Sequence, residues 1–136
     1  MKNLIKLFSV IMSLLFIAAA CKSDPQQCDI NLNNGEKWQV NAEMKPHIKK
    51  GNELLTDFMA AKNKDYKNLA ENLKTQNNRL IKSCTMKGES HDELHKWLHP
   101  HIELIEKLSK AENNEEAEAI IFKLQKSFEN YEHYFQ

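Results

Sequence analysis

Four stretches of the chain repeat their apolar residues at the three- and four-residue spacing of a helix face. Met44, Ile48, Leu55, Phe58 and Met59 form the first stripe. Tyr66, Leu69, Leu73, Leu80 and Cys84 form the second, interrupted by the polar Gln76 and Asn77. The third runs through Leu94, Leu98, Ile102 and Ile105, flanked by Trp97 and Leu108. The fourth carries Ala117, Ile121, Leu124, Phe128, Tyr131 and Phe135. A period near 3.6 residues with polar positions between predicts four amphipathic helices, each with one face to bury.

The punctuation between the stripes agrees. Pro46 fits the first turn of the first helix, where its missing N–H costs nothing. Lys87-Gly88 supplies a stop after the second. Ser90 with Glu93 three positions on forms a capping-box pattern, which predicts His91 as the first residue of the third helix. Asn113 or Asn114, followed by Glu115 and Glu116, gives the fourth helix a cap and a first turn matched to its dipole. Pro100 falls inside the third helix and frees the carbonyl of Lys96. Connections this short make successive helices antiparallel neighbours. The predicted fold is all-α: an antiparallel up-down-up-down four-helix bundle over residues 38–136, after a signal peptide and a polar tether.

Composition refines this picture. With 3 Gly and 3 Pro, the chain lacks the turns of a sandwich or barrel. It holds 19 basic and 19 acidic residues, a balance that argues against nucleic acid as a partner. The start is different in kind. Lys2 and Lys6 precede an apolar run from Leu7 to Ile17, about half the ~20 residues of a membrane-spanning helix. Ala18-Ala19-Ala20 then leads into Cys21. This stretch resembles a bacterial lipoprotein signal with its lipobox, with Ala18 where Leu is usual. The resemblance implies removal of residues 1–20 and acylation of Cys21, for instance by palmitate. The membrane would then be a partner through the N-terminal lipid, and the protein would sit on the outer membrane, facing the periplasm or the cell surface. Without Lys2 and Lys6, acidic side chains outnumber basic ones by two. Residues 21–37 are polar and read as the lipidated N-terminus and its tether.

The unusual count is 6 His in 136 residues. An up-down bundle brings the start of helix one, the end of helix two, the start of helix three and the end of helix four to one mouth. Met44, His47, Cys84, Met86, His91, His95 and His133 are therefore expected near that mouth. His91 and His95, four apart, share a helix face, and with Cys84 and Met86 they form a donor set suited to Cu(I), or without the thioether to Zn(II). On a wheel of ~100° per residue, His99 lies further out and reads as solvated, while His101 falls beside Leu94 and reads as a core-edge histidine. Cys84 has a second possible role. With Cys21 lipidated, Cys28 and Cys84 remain as an even pair in an oxidising compartment, which predicts a disulfide.

Three stretches also resemble the soluble periplasmic cytochrome b-562 family. They are Asn41-Ala-Glu-Met44, Met86-Lys87 with His91, and Glu116-Ala-Glu-Ala119 through Leu124 to the aromatic tail at Tyr131–Phe135. That resemblance implies a four-helix bundle with haem b held by Met44 and His133. The match is imperfect: an ungapped alignment puts Glu132 at the ligand position, and His133 lies about 140° from Phe128 on the wheel. Gly-rich phosphate loops, Gly-x-Ser-x-Gly and His-Glu-x-x-His are absent from the sequence. The expectation is a non-enzymatic binding protein of the cell envelope, holding Cu, Zn or haem. The alternative is a structural lipoprotein with an envelope protein as partner.

Overall fold

The computed structural model describes residues 29–136; Cys21, Cys28 and the signal segment lie outside the described residues. The protein is an all-α four-helix bundle of α1 (Lys45–Ala60), α2 (Tyr66–Ser83), α3 (Glu89–Lys110) and α4 (Asn114–Tyr134). α1 packs on α2, α2 on α3 and α3 on α4, and α4 closes back on α1. Hydrogen bonds between elements give the directions. Asn41, ahead of α1, donates to the carbonyl of Ser83 at the end of α2 (2.9 Å). Trp97 Nε1, early in α3, donates to the carbonyl of Ser127, late in α4 (2.8 Å). Asn52 in α1 reaches Glu132 at the end of α4 (3.2 Å).

The stripes predicted from sequence supply most of the core, with Phe58, Cys84 and Ile102 half-buried at its edge and Met59 exposed. Leu55, Leu73, Leu80, Leu94, Leu104, Leu108 and Leu124 are almost completely buried, each such side chain stabilising the fold by ~1.5–3 kcal/mol relative to exposure. α1 and α4 approach closely at Gly51, where a Cβ would stand 3.1 Å from the ring of Phe128. Any side chain there must displace that ring.

The helix ends follow the expected chemistry with one exception. Pro46 lies in the first turn of α1, and the Asn113 side chain accepts the Glu116 N–H to cap α4 (2.9 Å). α3 does not use the Ser90–Glu93 box. It starts two residues earlier, at Glu89, with Gly88 at the cap in a positive-φ conformation (φ 71°). The reason is that Glu93 is engaged elsewhere.

Its carboxylate accepts the backbone N–H of Asn31 (2.9 Å) and the ammonium of Lys96 (2.6 Å), while Lys96 also donates to the carbonyl of Asp29 (3.0 Å). The second half of the polar segment is therefore a docked strap. Ile30, Trp38 and Val40 are buried, and Trp38 Nε1 donates back to the carbonyl of Asn31 (2.6 Å). Trp38 and Phe135 form a parallel bridge, with Trp38 N–H on Tyr134, Gln136 N–H on Trp38 and Val40 N–H on Gln136. This strap covers the mouth where Met44, itself fully buried, leads into α1. Among the described residues no helix is long and apolar enough to cross a membrane.

Candidate metal-binding cleft

α3 passes the mouth with histidines on two of its faces. His91, His95 and His99 run along its edge toward α2, one turn apart. His95 Nε2 lies 3.1 Å from His91 Nε2, and His95 Nδ1 lies 3.0 Å from His99 Nε2. The rings are 4.3 and 4.9 Å apart between centroids. The row borders a cleft of about 240 Å³ whose other walls are Met44, Ile81, Cys84, Leu94, Leu98 and Ile102. The fold thus brings together His91, His95, Cys84 and Met44, as their ends of the helices dictate. His99 joins them, which the sequence reading missed. Spacing at i, i+4 and i+8 was the available signal.

Burial holds His95 below the ordinary imidazole range, and the neighbouring His91 and His99 push the same way, against a weaker opposing pull from Asp92. A neutral imidazole carries one N–H. With that proton on Nδ1, His95 donates to His99 Nε2 and turns the lone pair of its Nε2 toward His91. A tetrahedral Zn²⁺ with bonds of ~2.05 Å separates two nitrogen ligands by about 3.4 Å, within a few tenths of the 3.1 Å between these Nε2 atoms.

Other sequence candidates fall elsewhere. Met86 is half-buried against the core and does not line the cleft; the thioether there belongs to Met44. Met44 faces the histidine cleft, whereas His133 is exposed and packs edge-on against Tyr134, 4.6 Å between centroids. The groove between α1 and α4 presents Glu132 and Gln136 instead. Cys84 carries no bond to another described cysteine; its expected partner, Cys28, lies outside the described residues. The chain enters at Asp29 against Lys96, on the side of α3 facing away from the cleft that Cys84 lines. Among the described residues no three His, Cys, Asp or Glu side chains converge on one metal position. The donors present are a pair of imidazoles, with a thiol and a thioether on the other walls of the cleft.

The face of α3 turned into the core treats its histidine differently. His101 is 1% exposed, stacked on Trp97 (4.8 Å) and edge-on to Phe128 (4.7 Å). Its Nδ1 meets Ser127 Oγ at 2.8 Å, while Nε2 has no partner. Burial drives its pKa down to about 3. The tautomer that suits this site carries its proton on Nδ1 and donates to Ser127, leaving a bare lone pair in the core in place of an unmet N–H. His101 is structural. His47 Nδ1 lies 3.4 Å from Gln76 Oε1 on the α1–α2 face, apart from the histidine row.

The chain matches no protein-family model, no curated protein and no solved structure at a significant level.

Proposed function

We propose that this chain is a small lipid-anchored envelope protein that binds one transition-metal ion, without catalysis, on the His91–His95 pair. The observation that carries the reading is the two Nε2 atoms 3.1 Å apart at the edge of a cleft that also presents Cys84 and Met44. His99 fixes the tautomer of His95 through its Nδ1, the arrangement in which an outer hydrogen bond orients a histidine ligand. Two imidazoles hold Zn²⁺ or Cu²⁺ in an exchangeable way, with water in the remaining positions. The adjacent thiol and thioether favour copper once it is reduced. Such a site suits capture and hand-over of an ion at the membrane surface better than permanent storage.

Acylation of Cys21 would hold the site close to that surface. From Cys21 to the strap at Asp29 the chain can extend by no more than about 30 Å.

The test is a titration of the soluble chain from residue 22 onward, without the acylated Cys21, with Zn²⁺ and Cu²⁺, read by calorimetry and by metal content after gel filtration. One ion per chain is expected in the wild type and after His47→Ala with His133→Ala. His91→Ala with His95→Ala should abolish it. Absence of uptake, or uptake that survives the second pair of substitutions, would overturn the assignment.

A further inference from the structure

The opposite end of the bundle, where α1 ends and α2 and α4 begin, carries a larger cleft. Its volume is about 370 Å³, within the ~300–1,000 Å³ of small-molecule sites. The histidine cleft, at about 240 Å³, falls below that range. Its walls are Phe58, Met59, Tyr66, Ile121 and Phe122. Phe58 and Tyr66 pack at 5.5 Å and set one wall. Met59 and Phe122 stand on its borders 41% and 58% exposed, two large apolar side chains left in water on one concavity.

The rim is polar and carries one uncompensated charge. Lys64 is paired with Glu118, whose carboxylate also accepts the Tyr66 hydroxyl (3.3 Å). That pairing raises Lys64 above, and lowers Glu118 below, their ordinary ranges. Lys62 has no carboxylate partner among the described residues. It adopts a left-handed conformation (φ 50°), which costs energy in a residue with a long side chain. The turn is locked by the Lys62 N–H on the carbonyl of Met59 (3.2 Å) and the Asn63 N–H on that of Phe58 (3.3 Å). Asn63 Oδ1 accepts the Asp65 N–H (2.9 Å). That bond fixes the amide orientation and leaves the Nδ2 hydrogens without an acceptor among the described residues.

We propose that this cleft binds a small apolar monocarboxylate. Its hydrocarbon body lies between Phe58, Tyr66, Ile121 and Phe122, and its carboxylate is held by Lys62 Nζ and Asn63 Nδ2. Two unengaged donors beside an apolar hollow match the two oxygens of such a head group. With Lys64 and Glu118 neutralising each other, the remaining charge of Lys62 selects an anion over a neutral or cationic head. The site shares no residue with the histidine cleft and stands or falls apart from it.

Calorimetric titration of the mature protein with decanoate and with decanamide, both below their aggregation concentrations, tests this. Decanoate should bind once per chain, about tenfold more tightly than the amide, the margin of one charge-assisted hydrogen bond at an exposed rim. Lys62→Gln with Asn63→Ala should remove the preference for decanoate over decanamide. Met59→Ser with Phe122→Ser, at exposed positions whose folding far-UV circular dichroism can verify, should weaken both by about tenfold or more. Non-saturable uptake, equal affinity for the two probes, or indifference to either pair of substitutions would overturn the proposal.

Discussion

α3 carries His101 and, on the edge toward α2, His91, His95 and His99. The two groups contrast in every respect that decides what an imidazole does. His101 is closed in by Trp97, Phe128 and Ser127 and is kept neutral by the lack of water. The other three lie on a rim open to solvent, bonded to one another through nitrogens that a cation could take. About 60° of helix rotation separates His95 from the buried Leu98. That angle, rather than the number of histidines, divides a packing role from a coordinating one.

Four measurements would sharpen or break this contrast, the largest effect first. His101 has a folded pKa near 3 against an ordinary value of 6.5. The unfolded chain therefore binds the extra proton first. The stability from keeping this ring neutral is fully present above pH 6.5 and is lost progressively as pH falls toward 3, by roughly 4 kcal/mol over the window. Denaturant unfolding at pH 7 and pH 4 should show the loss, and His101→Phe should remove most of that slope. A slope of equal size in the variant would end the assignment of His101 as the buried partner.

Ser127→Ala removes the only acceptor of the His101 ring among the described residues and should cost about 2 kcal/mol at pH 7, the penalty of a buried unmet donor. Equilibrium unfolding would measure it.

Next comes the third edge of α3, where Glu93 holds the strap. Glu93→Ala should cost about 1.5 kcal/mol. Hydrogen exchange should accelerate at Asn31, Trp38 and Val40 before it changes in the helices; uniform acceleration would mean that the strap is not a separate unit.

The smallest effect is expected at the rim. His91→Ala and His95→Ala should each change the metal-free stability by less than about 0.5 kcal/mol, while removing the rise in Tm that Zn²⁺ gives the wild type.

Much of the fold was legible in the sequence because helices announce themselves locally. The stripes through Leu55, Leu73, Leu98 and Leu124, the Pro46 start and the Asn113 cap all depend on residues within a few positions. What depends on distant partners was hidden. Ser90 and Glu93 have the spacing of a capping box, yet the Glu93 carboxylate goes to Asn31, and no local rule reports that competition. Residues 21–37 look like a tether by composition. The alternation of Ile30 with Leu32 and of Trp38 with Val40 was the available sign of an extended segment with one face against a core.

In the candidate site, the His91–His95 pair and the core-edge position of His101 follow from the wheel. His99 reads as solvated on the wheel, which does not report that its ring reaches His95. Met86 stands near His91 in sequence, whereas Met44 comes to the cleft through the packing of distant helices. In the Lys62–Asn63 turn the positive φ falls on Lys62, a residue that does not mark that conformation, and not on the neighbouring Asn63, which would.

The strap has a consequence for the order of folding. α1 with α2, α2 with α3, and α3 with α4 each join neighbours through a short loop, so the bundle assembles from contacts that are cheap to close. The Trp38–Phe135 bridge joins positions almost a whole chain apart. It cannot form until α4 is in place, and it contributes little to reaching the transition state. Its burial of Ile30, Trp38 and Val40 comes afterwards, as a late step that slows unfolding more than it speeds folding. A chain emerging from a membrane with its first residues already anchored would pass through a bundle whose mouth is still open. In that interval Met44 and Trp38 would be accessible to whatever assists folding in its compartment, and they would close together when residues 134–136 arrive.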